Sequence, residues 1–336
     1  MISLVLQLVV MLFLILAAAE LFTNALEHLG EKLRISEGVT GSLFAAVGTA
    51  LPETTVPLLA LFAGTSDVGV NEEIGVGAIL GAPLMLSTLS TCLMALSVAA
   101  RRGLGGLVAP EHTGFVRDLD FFLFAFALAA VAMFVPPDAR YLRAAIGFTL
   151  VLTYFVYVLI TLRASSDLVE NGHGTEAEER MFLSRLGFPT NLFTILVQLA
   201  AGVTLILFGA KGFIHGVDGV ARLLGISTLL LSLLIIPIAT ELPEKVNSIL
   251  WIRRDKDTLA FGNISGAMVF QGTLLPAIGI MLTPWQPRIE VFTGVLATLI
   301  AVSWLRIWAR GHGLPVWSLL LNGVLYAAYL VIMLER

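Results

Sequence analysis

The chain has 336 residues, of which 57% are hydrophobic and 13% charged, about half the charged fraction of an average globular protein. With a mean hydropathy of +0.92, this composition excludes a water-soluble domain and implies a surface that faces lipid. Twenty basic against 24 acidic residues give a net charge of -4, so there is no basic footprint for nucleic acid, and the one cysteine, Cys92, permits no internal disulfide.

The uncharged run from Ile2 to Ala19 lacks a basic leader and exceeds the apolar core of a secretory signal, so it reads as a first membrane span. Windows of about 20 residues then place ten helices in chain order. The first half comprises Ile2–Leu26, Gly38–Phe62, Gly75–Ala100, Leu119–Val135 and Tyr141–Leu162. The second comprises Asn191–Ile214, Thr228–Ile252, Thr258–Leu282, Ile289–Ala309 and Leu314–Leu334. Between them, Arg163–Thr190 is the longest polar stretch, with Asp167, Glu170, Glu176, Glu178 and Glu179 facing Arg163, Arg180 and Arg185, and reads as a solvated linker without a calcium-loop motif. The expected organisation is an all-α membrane protein with repeats over 1–162 and 191–336, joined by a linker over 163–190.

Thirteen of the 20 basic residues fall on the side that carries this linker and six on the other, with Lys245 inside a span. This asymmetry predicts a cytoplasmic linker and both termini outside. Sliding the chain by 191 residues lays Gly48-Thr49-Ala50-Leu51-Pro52-Glu53 on Ala239-Thr240-Glu241-Leu242-Pro243-Glu244, with four identities in six. Ile35-Ser36 then falls on Ile226-Ser227, and Gly77 to Ala82 falls on Gly262 to Ala267 after a loop six residues longer in the first copy. Five spans per half is an odd number, so the second half threads the membrane in the opposite sense and the repeats are inverted, a design that serves alternating access to a central site.

A carboxylate in hydrocarbon costs at least about 2.5 kcal/mol, so an intramembrane Glu is expected to pair, protonate or bind a cation. Glu53 and Glu244 each lie in the middle third of a predicted span and follow a proline that opens the helix near Thr49 and Thr240. Carboxylates plus freed carbonyl oxygens suit a hard cation, calcium above all. A lone Glu beside a proline is equally well explained as a helix cap; two at symmetric positions favour a site. The glycines at 77, 81, 262 and 266 read as close helix packing rather than ligands.

At these residues the sequence resembles the cation/calcium antiporter superfamily, the sodium/calcium exchangers and their relatives, whose repeat reads roughly G-T-S-x-P-E followed by G-N-x-x-G-S-N-x-x-N or a final D. The resemblance covers essentially the whole chain. It implies calcium held by Glu53, Glu244, Thr49 and Thr240, and first and sixth spans that slide across the core to gate access. The chain departs from the pattern at Ala50 and Glu241, at Ala82 and Ala267, and at Leu86 and Gln271. These positions are associated with sodium in the family, so three-sodium exchange is not expected.

The candidate cation-binding set is therefore Glu53, Glu244, Thr49, Thr240, Glu241 and Gln271, with Lys245 tuning its charge. Glu241 and Lys245 are four apart, a spacing that permits an ion pair. Three glutamates against one lysine leave -3 + 1 = -2, enough for one divalent ion. Lys245 alternatively occupies the vacated sodium volume while protons serve as counter-ion, or snorkels to the cytoplasmic edge. Glu20 and Lys211, equivalent under the same shift, read as interfacial anchors, the five histidines as span-end or loop residues, and the five tryptophans as an aromatic belt.

The expected function is a secondary antiporter in a prokaryotic plasma (inner) membrane, moving a divalent cation, Ca2+ foremost, against Na+ or H+. A divalent-cation/H+ exchanger is the alternative, and a non-transporting scaffold is the reading in which the glutamates are dispensable. The expected partners are the lipid bilayer and inorganic cations, with no resident cofactor. No Ser-His, Asp-Asp or His-rich constellation stands in the spans to support hydrolysis.

Overall fold

The computed structural model describes residues 2–35, 57–58, 68–170, 177, 179–224, 237, 241–311 and 313–334. Among the described residues the chain is helical except for one pair of two-residue strands. Helix α1 is Ile2–Leu33, α2 is Val68–Met85, α3 is Thr91–Arg102, α4 is His112–Ala132 and α5 is Arg140–Glu170. A single helical turn, α6 (Phe182–Arg185), precedes α7 (Leu192–Leu224), α8 (Leu242–Arg253), α9 (Asp257–Leu282), α10 (Ile289–Trp308) and α11 (Val316–Leu334). Six helical stretches among the described residues are long and apolar enough to cross a membrane. The expected second span, Gly38–Phe62, lies outside the described residues apart from 57–58, as does the first half of the seventh.

Several boundaries differ from the sequence expectation. Helix α1 runs seven residues past Leu26, because Glu27 and His28 find partners inside the protein instead of ending the span. Helix α4 begins at His112 rather than Leu119, started by Glu111, whose carboxylate accepts from the Thr113 and Gly114 amides at 2.7 and 2.6 Å. Leu314, expected to open the tenth helix, instead pairs with Val108 in a short antiparallel ladder over Leu107–Val108 and Leu314–Pro315, and α11 starts at Val316. This ladder ties the α3–α4 connection to the α10–α11 connection.

The linker reading of 163–190 is corrected in two respects. Helix α5 carries on to Glu170, and the stretch around Met181 is docked on α1 and α7, while Arg185 to Thr190 is exposed. Met181 is fully buried against Leu29 and Ile195. The Asn24 side chain donates to Arg180 O at 3.4 Å and accepts from the Phe182 amide at 3.0 Å, while Gln198 of α7 donates to Asn24 at 2.9 Å. Backbone groups that a free linker would leave to water are satisfied here by amides of α1 and α7, which lie against each other along their length.

Helix α9 is the central element, buried from Leu259 to Ile280 with few breaks and packed on α2, α4, α5 and α8. Its apolar character all round matches that position. Helix α5 sends Leu142, Phe148, Leu152, Phe155 and Leu159 outward, as a lipid-facing surface requires. Between α2 and α3 the chain forms a π-helical turn, Leu86–Ser90, three residues after Pro83, which takes an amide from the helix ladder. The loosened turn is closed by hydroxyls: Ser90 and Thr91 donate to Met85 O and Ser87 O at 3.2 and 2.9 Å, and Asn322 of α11 donates to Ser87 O at 2.9 Å.

At the opposite end, Arg143 donates to the carbonyls of Ile280, Thr283 and Pro284 and so caps α9. Trp285 lies under this cap with its Nε1 donating to Ala129 O at 3.0 Å, and a Cβ at Gly279 would stand 2.3 Å from its ring. With the indole held on two sides, Gly279→Ala is expected to cost about 1–3 kcal/mol as an overpacked core contact. A lowered melting temperature in detergent is the measurement, and an unchanged one would show that the ring can shift.

Candidate functional site

Helix α8 begins at Leu242 with Pro243 in its first turn, where the fixed φ suits helix entry and the missing amide breaks no hydrogen bond. Glu241 occupies the N-cap position of α8, its amide donating to Pro237 O at 3.0 Å, and Glu244 sits in the first turn, where the helix dipole favours negative charge. Both carboxylates are fully buried. Gln271 of α9 reaches across and donates from Nε2 to Glu241 Oε1 at 2.8 Å. Glu241 Oε2 and Gln271 Oε1 remain as buried acceptor oxygens without a hydrogen-bond donor among the described residues.

Lys245 is 4% exposed, stands with Glu244 in electrostatic range of Glu241, and donates from Nζ to Pro237 O at 3.4 Å. This corrects the snorkelling alternative. A side chain in the first turn of a helix leans toward the helix N-terminus, which here lies inside the protein beside the buried Pro237 and Glu241. Around the glutamates, Asn263 of α9 donates from Nδ2 to Glu244 O and to Ser248 Oγ, both at 3.0 Å, and Thr23 of α1 donates to Asn247 Oδ1 at 2.7 Å. Ala82, Ala267 and Leu86, which replace polar residues of the resembled motif, are buried and apolar.

The structure thus brings Glu241, Glu244, Lys245 and Gln271 together at the start of α8. Glu53, Thr49 and Thr240 lie outside the described residues. Among the described residues no three His, Cys, Asp or Glu side chains form a metal cluster. The donors present are carboxylate and amide oxygens, a set matched to hard cations, with the lysine lowering their net charge.

Other sequence readings change in three dimensions. Glu20 is not at a span end, since α1 continues for 13 residues beyond it; it accepts from Arg254 Nη2 at 2.8 Å. The Lys211 side chain lies outside the described residues. His28 is inside α1, its Nε2 2.9 Å from Glu179 O. Trp251 and Trp285 are buried and hydrogen-bonded rather than part of a belt, whereas Trp304, Trp308 and Trp317 form an edge-to-face cluster near one surface.

Several buried polar residues carry no mark in the sequence, among them Asn263, Glu27, Asp118 and Lys256. Asn263 stood in a recognised block but received no role. Glu27 and Asp118 each fall just beyond a predicted span end, in the charged stretches Glu27-His28-Leu29-Gly30-Glu31-Lys32 and Arg117-Asp118 that lower the hydropathy of a window. Lys256 was counted among loop cations, yet it is 7% exposed and bonded to Glu27 at 3.1 Å. On the same side of the bundle, Arg102 bridges Asp255 and Asp257 at 2.7 and 2.8 Å and, with Arg101, holds the Asp255 carboxyl below its usual range.

Residues 3–163 and 194–335 match the sodium/calcium exchanger protein family, that is, both halves of the chain with the linker region omitted. The sodium/calcium exchanger MaX1 of Methanosarcina acetivorans is 24% identical, with 96% of each chain aligned. The inner membrane protein YrbG of Escherichia coli is also 24% identical, over 92% of this chain and 91% of its own. Among solved structures, the sodium-calcium exchanger NCX_Mj superposes with a TM-score of 0.73 at 20% identity over 98% of both chains, which establishes a shared fold. A membrane-embedded helical chain, matched over both halves and carrying buried carboxylates at a proline-marked helix start, belongs to the sodium/calcium exchanger protein family of antiporters.

Proposed function

We propose that this protein exchanges a divalent cation, with Ca2+ as the reference ion, for Na+ or H+ by alternating access, and that Glu244 and Glu53 are its principal ligands. The observation that carries the reading is the pair of fully buried carboxylates, Glu241 and Glu244, at the start of α8, with Gln271 on the facing helix. Thr49 and Thr240 supply carbonyl oxygens from the two helix breaks, and Glu241 with Gln271 extends the oxygen set. Ten spans in two inverted halves, both termini outside and the linker in the cytoplasm of a prokaryotic cell complete the proposal.

Proton coupling is the second reading. It is favoured by apolar Ala82, Leu86 and Ala267 at buried positions, which offer a sodium ion no side-chain oxygen, and by an ammonium already resident beside the carboxylates. Purified protein in liposomes, loaded with Ca2+ and given an imposed Na+ or pH gradient, separates the two couplings. Ca2+ movement driven by neither gradient would overturn the exchange assignment.

The resident ammonium has its own test. Lys245→Met removes a unit positive charge close to the site and is expected to lower the half-saturating Ca2+ concentration at least about tenfold, since a unit charge some 10 Å from a divalent ion at an effective dielectric of about 20 repels it by about 3 kcal/mol. An unchanged or raised value in flux assays would place Lys245 outside the field of the bound ion.

A further inference from the structure

Helix α1 lies across the C-terminal half of α8, and on that contact it presents Glu20, Thr23 and Glu27, spaced three and four apart on one helix face. Each is engaged from the α8–α9 side. Arg254 donates to Glu20 at 2.8 Å, Thr23 donates to Asn247 at 2.7 Å, and Glu27 accepts from Trp251 Nε1 at 2.8 Å and from Lys256 Nζ at 3.1 Å. The outer pair is partly open, with Glu20 and Arg254 side chains each 29% exposed, whereas Glu27 is 2% exposed. Between Glu244 and Glu27 lie Asn247 Nδ2 and Asn263 Oδ1, both buried and without a hydrogen-bond partner among the described residues. Purely apolar packing between α1 and α8 would let the helices slide smoothly. A buried ion pair holds one register, because separating its partners strands two charges.

We propose that Glu27 and Lys256 are a positioning pair that locks α1 over α8 and closes the cytoplasmic end of the transport path, and that this path runs along the polar column Glu244, Ser248, Asn247 and Glu27. When α1 moves, the pair parts, the open hydrogen-bonding groups of Asn247 and Asn263 receive water, and Glu27 becomes the first carboxylate a cation meets from that side. The proposal rests on the exchange reading and on its cytoplasmic placement of the α8–α9 turn. It adds two residues that hold a conformation without being ligands of the centrally bound ion.

The test uses the full-length protein in liposomes, with Cys92→Ser as background and Ser248→Cys as reporter, and a membrane-impermeant maleimide added on the linker side. Glu27→Gln and Lys256→Met are each expected to raise the labelling rate at least about fivefold by shifting population toward the open end. The exchange Glu27→Lys with Lys256→Glu, and the conservative Lys256→Arg, are expected to restore labelling to within about twofold of the background protein. A second readout, Ca2+ half-saturation measured separately from the two sides, should change on the linker side alone in the single variants. Labelling within about twofold of background in both single variants, or rapid labelling that the charge exchange fails to reverse, overturns the proposal. If a single variant does not fold, the charge exchange decides: labelling at the background rate supports the lock and rapid labelling overturns it. Absence of gradient-driven Ca2+ flux in the unaltered protein would defeat the exchange reading separately, since the labelling pattern does not depend on which ion moves.

Discussion

Glu244→Gln is expected to reduce gradient-driven Ca2+ uptake in liposomes by at least about 100-fold, on the order of 2.8 kcal/mol at 1.4 kcal/mol per decade. The substitution keeps the shape and removes the charge of a side chain that is fully buried in the first turn of α8. A neutral amide of the same shape fills the same space, so the protein should fold and elute as the unaltered chain does. What it loses is the anionic oxygen that makes dehydration of a divalent ion tolerable. Glu53→Gln is expected to behave alike, because the repeat assigns it the equivalent place in the first half. Full uptake in either variant would end the assignment of these carboxylates as ligands and leave the scaffold reading standing.

Asp118→Ala is the substitution with the largest expected cost in stability. Asp118 is 1% exposed within α4, accepts from Ser265 Oγ of α9 at 2.6 Å and from Tyr157 OH of α5 at 3.0 Å, and has Arg117 Nη2 at 3.7 Å. One carboxylate therefore joins three helices around the central one. Its removal leaves a mostly buried guanidinium and two hydroxyls without their acceptor, a change of roughly 3–5 kcal/mol by comparison with other broken buried pairs. On the scale of a chain this size, a fall of about 5–10 °C in melting temperature is expected in detergent, with Asp118→Asn between the two because its carbonyl still accepts. An unchanged melting curve for Asp118→Ala would mean that these contacts are replaced by water at no cost.

These two carboxylates show what was legible beforehand and what was not. Glu244 announced itself because it sits inside an apolar run, beside a proline, and at the position of Glu53 in a repeat. Asp118 and Glu27 carry the same charge in the same interior, yet each adjoins further charges at the edge of an apolar run, Arg117 for the one and Glu31 and Lys32 for the other, and these pull the hydropathy of a window down. The structure extends both helices past those residues, because each acidic group meets a donor from a distant part of the chain: Ser265 and Tyr157 for Asp118, Lys256 and Trp251 for Glu27. Partnership of this kind has no local signature. The same holds for the linker, whose composition is that of a solvated segment and whose amides at Phe182 and Leu183 are nonetheless claimed by Asn24 and Gln198.

Composition, periodicity and repetition were enough to establish from the amino-acid order alone that this is a helical membrane protein, that its two halves correspond, and which break-associated residues to weigh as ligands. Those properties depend on short stretches of chain and on their solvent, lipid. Which polar groups are sealed inside, that Lys245 turns toward Pro237, and that α1 is held to the α8–α9 connection by a buried ion pair were decided by tertiary packing. The reason is energetic: in a medium without water a charge is tolerated only where another group meets it, and that meeting is a property of three dimensions.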